Sequence, residues 1–481
     1  MRWVVSLLFI LIGVCVKAQQ SISFEDAMAM VAENSRVINS ARCGVDAAYM
    51  EYRAAHGLRA PQVDITGGYT IMQHDVDIDL GGAKGVVTNS LEQLVSKGVD
   101  GGVISPSIAS LLREGLMPLK DAEWSYTLQK RDFGFVGTTI TMPIYLGGRI
   151  NIANRVASLG VESANNSLVS VENSLITELV ERYFGVILAR EVVKVRAMVV
   201  EGVGQHLSDA LAMEEEGVLA HSAILYLKYK LSEAERDYGD AVGRLQVAEI
   251  ALETTLNTTN NISPADGMFI TTTIPNVEYF KECAEWQNPI IRQAQLARSL
   301  TMEGVEEAKS QLLPQIVAIG AASIYNYNLS DIVPRWSMGV GVTIPLFGGF
   351  SRQHQLRVAQ SKSQSAVEMT EELMGDISLL VDKEYHTLCN ALLNVQSCER
   401  SISFAESYYY TILEGFREGI TTSTELMDAR TMLAGAQVEY LDAVYRHMLS
   451  LARLLELSGL SNDFVRYASS SEVVNINSVI L

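Results

Sequence analysis

The chain has 481 residues, 37 Lys and Arg against 56 Asp and Glu, and a formal net charge of −19. Nucleic-acid phosphates call for clustered Lys and Arg, so this balance argues against a nucleic-acid partner; it favours cations at any pore the chain lines. Five cysteines in a chain this long are too few for a disulfide framework.

The chain opens with Met1-Arg2, an apolar run from Trp3 to Cys15, and Val16-Lys17-Ala18. That pattern predicts a secretory signal over residues 1–18, cleaved after Ala18. The alternative is a lipoprotein acylated at Cys15, although Val14 fits poorly before it. Losing Arg2 and Lys17 would take the net charge to −21. Beyond Ala18 no run of about 18 apolar residues occurs, so no spanning helix is expected. Cys43, Cys283, Cys389 and Cys398 would remain. Cys389 and Cys398 are nine apart on one expected helix, about 13 Å along its axis, too far to pair. Buried or idle thiols are the plainer expectation for all four.

Next comes a helix over about Ser23 to Arg59, ending near Pro61. Gln62 to Gln73 then alternates as a strand, with Val63, Ile65, Tyr69 and Ile71 on one face. Arg131 to Met142 is a weaker strand. A helix of about 65 residues follows from Arg149 to Met213, near 100 Å if unbroken. After a turn at Gly217 a return helix of about 40 residues carries Ile224, Leu227, Leu231, Ala234, Tyr238, Ala241, Leu245, Ala248 and Leu252. Those spacings of three and four predict coiled-coil packing. Asn257 to Pro275, rich in Asn, Thr and Pro, reads as a linker.

The remainder repeats this order: a helix over about Val277 to Leu313, extended segments Gln315 to Tyr327 and Arg335 to Ile344, a long helix Ser351 to Gly415, a turn at Gly419 and a return helix. In the second extended pair, Trp336, Met338, Val340 and Val342 oppose Ser337, Gly339 and Gly341. The heptad returns as Leu426, Ala429, Leu433, Ala436, Tyr440 and Ala443, and is expected to fail at His447. The polar tail after Gly459 is expected to be mobile.

The order repeats because the sequence does. A shift of 202 residues places Glu216-Gly217-Val218 on Glu418-Gly419-Ile420, and Tyr238, Asp240, Ala241 and Arg244 on Tyr440, Asp442, Ala443 and Arg446. Upstream the shift is 253, with Pro61-Gln62-Val63 on Pro314-Gln315-Ile316. The difference is 51 extra residues in the first strand pair, roughly His74 to Thr127. The division is therefore 1–18 signal, 19–256 first repeat, 257–275 linker, 276–459 second repeat and 460–481 tail. The return helix and the first helix of a repeat, stacked end to end, would match the long helix in length.

Two strands per repeat give four per chain. Four cannot close a barrel, and an open sheet edge cannot sit in lipid; dimers, trimers or tetramers would give eight, twelve or sixteen. A soluble four-stranded sheet on helices is the plainer reading of the same periodicity. No enzyme constellation appears. His56, His74, His206, His221, His354, His386 and His447 lack ligand spacing. Gly81-Gly82-Ala83-Lys84 lacks the phosphate-loop pattern. Glu214-Glu215-Glu216 reads as a solvated face, and no cofactor motif is seen.

Several segments, weak singly but ordered and duplicated, resemble the TolC-like outer-membrane efflux protein family over nearly all of the mature length. They are Ser23-Phe24-Glu25-Asp26-Ala27 through Asn34, Arg59-Ala60-Pro61-Gln62 with Leu313-Pro314-Gln315, and Pro143-Ile144-Tyr145-Leu146-Gly147-Gly148-Arg149 with Pro345-Leu346-Phe347-Gly348-Gly349. Phe416-Arg417-Glu418-Gly419 followed by Glu425-Leu426-Met427-Asp428-Ala429-Arg430 completes the set. The resemblance implies an α+β, mostly α fold. It implies a homotrimer whose twelve-stranded outer-membrane β-barrel is continuous with a periplasmic α-helical barrel. It also implies a passive exit duct for a tripartite efflux pump or a type I secretion system, reached through a periplasmic adaptor protein and an inner-membrane pump.

The tips Gly217, Val218, Leu219 and Gly419, Ile420, Thr421 resemble the family's adaptor-docking points; the plainer reading is glycine supplying positive φ at a helix turn. Glu425 and Asp428 match acidic positions at the family's periplasmic constriction, or are two carboxylates on an exposed face. Ala223 and Tyr226 hold the corresponding places in the first repeat. Thr421 departs from the family, which can place a basic residue there to lock the closed state. Trp336, Met338, Val340 and Val342 are expected to face outer-membrane lipid. Residues 74–127 are expected outside the cell or as a tolerated insertion. The alternative from another class is a periplasmic adaptor or coiled-coil scaffold, against which two hairpins and two strand pairs argue.

Overall fold

A computed structural model describes residues 20–258, 262–470 and 472–473. The expected signal, with Cys15, lies outside the described residues. In chain order the elements are β1 (Gln20–Ile22), α1 (Phe24–Asn34), α2 (Arg36–Gly57), β2 (Gln62–Ile71), β3 (Val76–Asp79), α3 (Gly81–Asp100), α4 (Pro106–Asp121), β4 (Ser125–Gln129), β5 (Asp132–Leu146), α5 (Arg149–Glu215) and α6 (His221–Thr255). Then follow β6 (Ile262–Pro264), β7 (Phe269–Ile270), α7 (Val277–Gln287), α8 (Pro289–Ser310), β8 (Gln315–Tyr327), β9 (Trp336–Thr343), α9 (Ser351–Arg417), α10 (Ser423–Leu457), α11 (Phe464–Ser470) and β10 (Glu472–Val473).

In the helices the duplication is kept to the residue. Helices α5 and α9 have 67 residues each, and α6 and α10 have 35 each. Their first residues all stand 202 apart. Helices α1 and α7 have 11 residues, and α2 and α8 have 22, at the shift of 253.

The chain divides into two compact units. One holds Ala54–Asn154 and Glu306–Leu356. It contains the expected strands as a single antiparallel sheet in the order β2-β5-β8-β9. Val340 pairs with Ala318, and Ala318 with Met142; Met338 pairs with Gly320, Gly320 with Ile140, and Ile140 with Val63. The alternation read for β9 thus runs across the sheet. Trp336, Met338, Val340, Ile140, Val63 and Ile65 share one face, while Ser337, Gly339, Thr139, Thr141 and Asp64 share the other. The 51 extra residues fold as β3-α3-α4-β4, with β3 and β4 paired. Gln129 fastens their base: its side chain donates to Asn328 O (2.8 Å) and accepts from Ser330 N (2.8 Å) in the β8–β9 connection.

The other unit holds residues up to Arg53, Arg155–Val305 and those from Arg357 on. Its core is an aromatic cluster: Phe24, Tyr183, Phe184, Phe269 and Phe464 are all buried, with ring centroids 5.1–6.1 Å apart. Tyr183 Oη lies 2.8 Å from both Ile22 O and an Asp266 carboxylate oxygen. That carboxylate also accepts from Phe24 N at 2.6 Å. Burial, then the bond to Asp266, push the Tyr183 phenol well above its ordinary value, so it stays a donor.

Four sequence expectations change. Each first helix of a repeat is two helices, not one. Ser35 and Asn288, which correspond at the shift of 253, take extended backbone and break it. Asn288 Oδ1 accepts from Ile290 N (2.7 Å) and Ile291 N (3.2 Å), and its amide donates to Leu457 O (2.7 Å). Pro289 forces the same break, because the residue before proline avoids the helical region. The described part of the 257–275 linker is not a tether: β6 pairs with β1, β7 pairs with β10, and Met268 and Phe269 are buried. The described part of the tail folds as well, with Phe464 of α11 completely buried. Finally, the heptad does not end at His447. Tyr440, Ala443, His447, Ser450 and Leu454 are all buried at continuous spacings of three and four. His447 Nε2 accepts from Thr271 N at 3.1 Å, and burial lowers the imidazole to about 4, so it packs as a neutral ring.

Candidate functional site

The two tips are copies of one turn. Helix α5 ends as Gly217 N donates to Glu214 O (2.8 Å), while Val218 N and Leu219 N both donate to Met213 O (2.9 and 3.2 Å). Helix α9 ends with the same three bonds: Gly419 N to Phe416 O (3.0 Å), and Ile420 N and Thr421 N to Gly415 O (2.7 and 3.2 Å). Gly217 and Gly419 have φ of 78° and 73°, the left-handed conformation that a helix-ending glycine supplies. Immediately after them, Val218 and Ile420 are each 75% exposed, one apolar side chain presented per tip.

The tips then diverge. Thr422 caps α10 in a reciprocal box: Glu425 N donates to Thr422 Oγ1 (3.3 Å), and the Glu425 carboxylate accepts from Thr422 N (2.7 Å) and Oγ1 (3.0 Å). Those bonds, backbone first, hold the Glu425 carboxyl below its usual range. Ala220 caps α6 with no side-chain bond. Glu425 and Asp428 are both exposed and, three residues apart, lie on one face of α10. Thr421, where the family can carry a basic residue, bonds back into its own turn, Oγ1 donating to Ile412 O at 2.9 Å.

Behind the tips, Arg430 of α10 joins three helices, an arrangement the sequence reading missed. Its guanidinium donates to Met198 O of α5 (2.8 Å) and to Tyr409 Oη of α9 (3.2 Å), and lies 5.7 Å from the Tyr409 ring centroid. It occupies the space beside Gly202 where any Cβ would overlap it. The available signal was Gly202 itself, since glycine inside a long helix usually marks close packing. One turn further along α5, His206 is buried edge-on against Phe416, and burial lowers its imidazole. Among the described residues no group of His, Cys, Asp and Glu is arranged to hold a metal ion. No described helix is long and apolar enough to cross a membrane.

Residues 283–460 match the model of a family described as outer membrane efflux protein. That match falls on the second repeat and covers less than half of the chain. It is 20% identical to outer membrane protein TolC of Escherichia coli (strain K12) over 194 residues, 37% of this chain and 39% of that protein. It thus spans about two fifths of TolC in that match. It is 22% identical to protein CyaE of Bordetella pertussis over 331 residues, 66% of this chain and 68% of that protein. Among solved structures, CusC superposes with a TM-score of 0.72 at 14% identity, covering 91% of this chain and 92% of CusC. The Campylobacter jejuni CmeC outer membrane channel superposes at 0.68 and 13% identity, covering 93% and 89%. These likenesses establish a shared fold across nearly the whole chain.

Proposed function

We propose that this chain is an outer-membrane channel that reaches into the periplasm and serves as the passive exit duct of an export machine. The observation that carries the reading is the sheet. Its outer strands, β2 and β9, have no strand partner on their outer edges among the described residues, and one face is apolar from edge to edge. Unpaired backbone cannot sit in hydrocarbon, so such a sheet requires copies of itself to close. Three copies give twelve strands, above the minimum of about eight for a membrane barrel. The family supports three.

The paired tips are the surfaces an adaptor would meet, with Val218 and Ile420 as apolar contacts and an inner-membrane pump beyond. Glu425 and Asp428 repeat three times in such an assembly and make an acidic mouth that draws cations. Residues 74–127, between two strand ends, form the extracellular side, where outer-membrane barrels carry their long connections.

Crosslinking in detergent should give a ladder ending at the trimer; a water-soluble monomer would remove the channel reading. In planar bilayers, Glu425→Ala with Asp428→Ala should weaken cation selectivity and block by multivalent cations. Unchanged selectivity would place the carboxylates away from the lumen. An epitope near Lys97 should be reached by antibody on intact cells, and labelling only after permeabilisation would reverse the orientation.

A further inference from the structure

Helices α3 and α4 fold back on one another through a small core. Thr88 and Val95 of α3 and Ala109 of α4 are buried. Lys120 is paired with Glu92, and Arg113 donates to Ser96 Oγ at 3.4 Å. Helix α4 also carries an apolar stripe on a different face. Ile108, Leu111, Leu112 and Leu119 are exposed, with Gly115 between them at spacings that fall on one side of a helix. Leu111 is 68% exposed. Exposed Val87 and Leu94 form a second, shorter stripe on α3. An uncovered apolar surface of this kind on a folded unit marks a contact site.

Two observations choose the occupant. The first is charge. A helix that lies on a membrane carries a polar face rich in Lys and Arg, free to meet anionic headgroups. Residues 81–121 hold four basic and four acidic side chains. Three of the four cations already have a partner within the segment or at its end: Lys120 with Glu92, Arg113 with Ser96, and Lys84 Nζ with Ala122 O at 2.7 Å. In a chain of net charge −19, this neutral segment is a place where copies approach without repulsion. The second is position. The segment leaves from the end of β2, an outer strand of the sheet, and Met72 N donates to Arg131 O at 2.6 Å just past that end. It therefore rises beside the edge where a neighbouring copy would pair.

We propose that the α3–α4 hairpin packs against the same hairpin of adjacent copies of this chain, joining into a helical collar over the outer mouth of the channel. The proposal rests on the trimeric reading given above. Gly115, with open space around it, lets facing α4 helices approach closely while Leu111 and Leu119 interlock on either side.

Cysteine crosslinking of the full chain in outer membranes tests this. Under oxidation, Leu111→Cys should shift from the monomer to a covalent dimer on a denaturing gel. Ser110→Cys, on the opposite side of α4, should stay monomeric, as should the unsubstituted chain with its own cysteines. A chain in which a Gly-Ser turn replaces residues 81–121 should size as a trimer in detergent and conduct more than the parent. A trimer that gives no Leu111→Cys dimer, with Leu111→Trp fluorescence quenched by brominated lipid, would put the hairpin on the membrane and overturn the proposal. A trimer with neither crosslink nor changed conductance would overturn it equally. Absence of a trimer in the unsubstituted chain would instead remove the exit-duct reading, and the collar with it.

Discussion

The Arg430 guanidinium lies where a side chain at position 202 would have to be, so Gly202 and Arg430 are two halves of one contact. Alanine at 202 would gain up to about 1 kcal/mol of helix propensity. It would also displace a charged donor from Met198 O and Tyr409 Oη, bonds of a kind worth about 1.5–3 kcal/mol. Gly202→Ala should therefore lower stability in chemical denaturation followed by circular dichroism. In an Arg430→Ala background the same substitution should raise it. Equal signs in the two backgrounds would mean the contact carries no energy.

The buried imidazole of His447 ties stability to pH. Its folded value, about 4, lies below the ordinary histidine value of about 6.5, so the unfolded chain binds more protons between them. Stability should be full above about pH 6.5 and fall as pH drops toward 4, by up to about 3 kcal/mol. His206, also lowered by burial, acts in the same direction. Leu245 occupies the matching place in the first repeat, so His447→Leu is sterically reasonable. It should flatten the pH dependence in part, at the cost of about 1–3 kcal/mol for the lost partner of Thr271 N. An unchanged slope would show that the ring is not what titrates.

Tip caps can be exchanged between repeats. Thr422→Ala should destabilise the start of α10 by about 1 kcal/mol, and Ala220→Thr should stabilise α6 by a similar amount. Thr422→Ala should also return the Glu425 carboxyl part of the way toward its usual range, because it removes the Oγ1 bond and leaves the larger contribution of the Thr422 backbone N–H in place. Carboxyl chemical shifts followed through a pH titration would read this directly.

The sheet register gives a paired test of the membrane face. Val340 and Gly341 are adjacent in β9 and point to opposite faces. A cation facing lipid at the midplane costs about 2–4 kcal/mol. Val340→Arg should thus reduce assembled protein in the outer membrane far more than Gly341→Arg. Equal tolerance would mean that the apolar face is not the lipid face.

Much of this architecture is legible in the sequence because long-range order here is periodic. The starts of α5 and α9, the four strands and both tip glycines follow from the repeat and from alternation. What stayed hidden depends on single side chains finding distant partners. Ser35 and Asn288 look like ordinary polar positions in a helix, although Pro289 and the shift of 253 were there to be used. Phe269 and Phe464 sit in polar stretches, and only the folded chain brings them to Phe24 and Phe184. His447 looked like the end of a seam because a histidine seldom packs as an apolar residue. Its acceptance of Thr271 N is a tertiary fact that no local pattern encodes.

The identical lengths of the paired helices restrict how this chain can evolve. One residue added within α5 would carry everything after it forward by about 1.5 Å and around by about 100°. The tip after α5 would then no longer match the tip after α9, and every buried position beyond the addition would face the wrong way. Substitutions can accumulate independently in the two halves, as Lys228 opposite Arg430 and Leu245 opposite His447 attest. Insertions and deletions in the long helices have to occur in both copies together. The strand connections escape this rule, and one of them holds the 51 residues by which the halves differ. Lineages of this protein should therefore vary in length between β2 and β5 and hold the helix pair at 67 and 35.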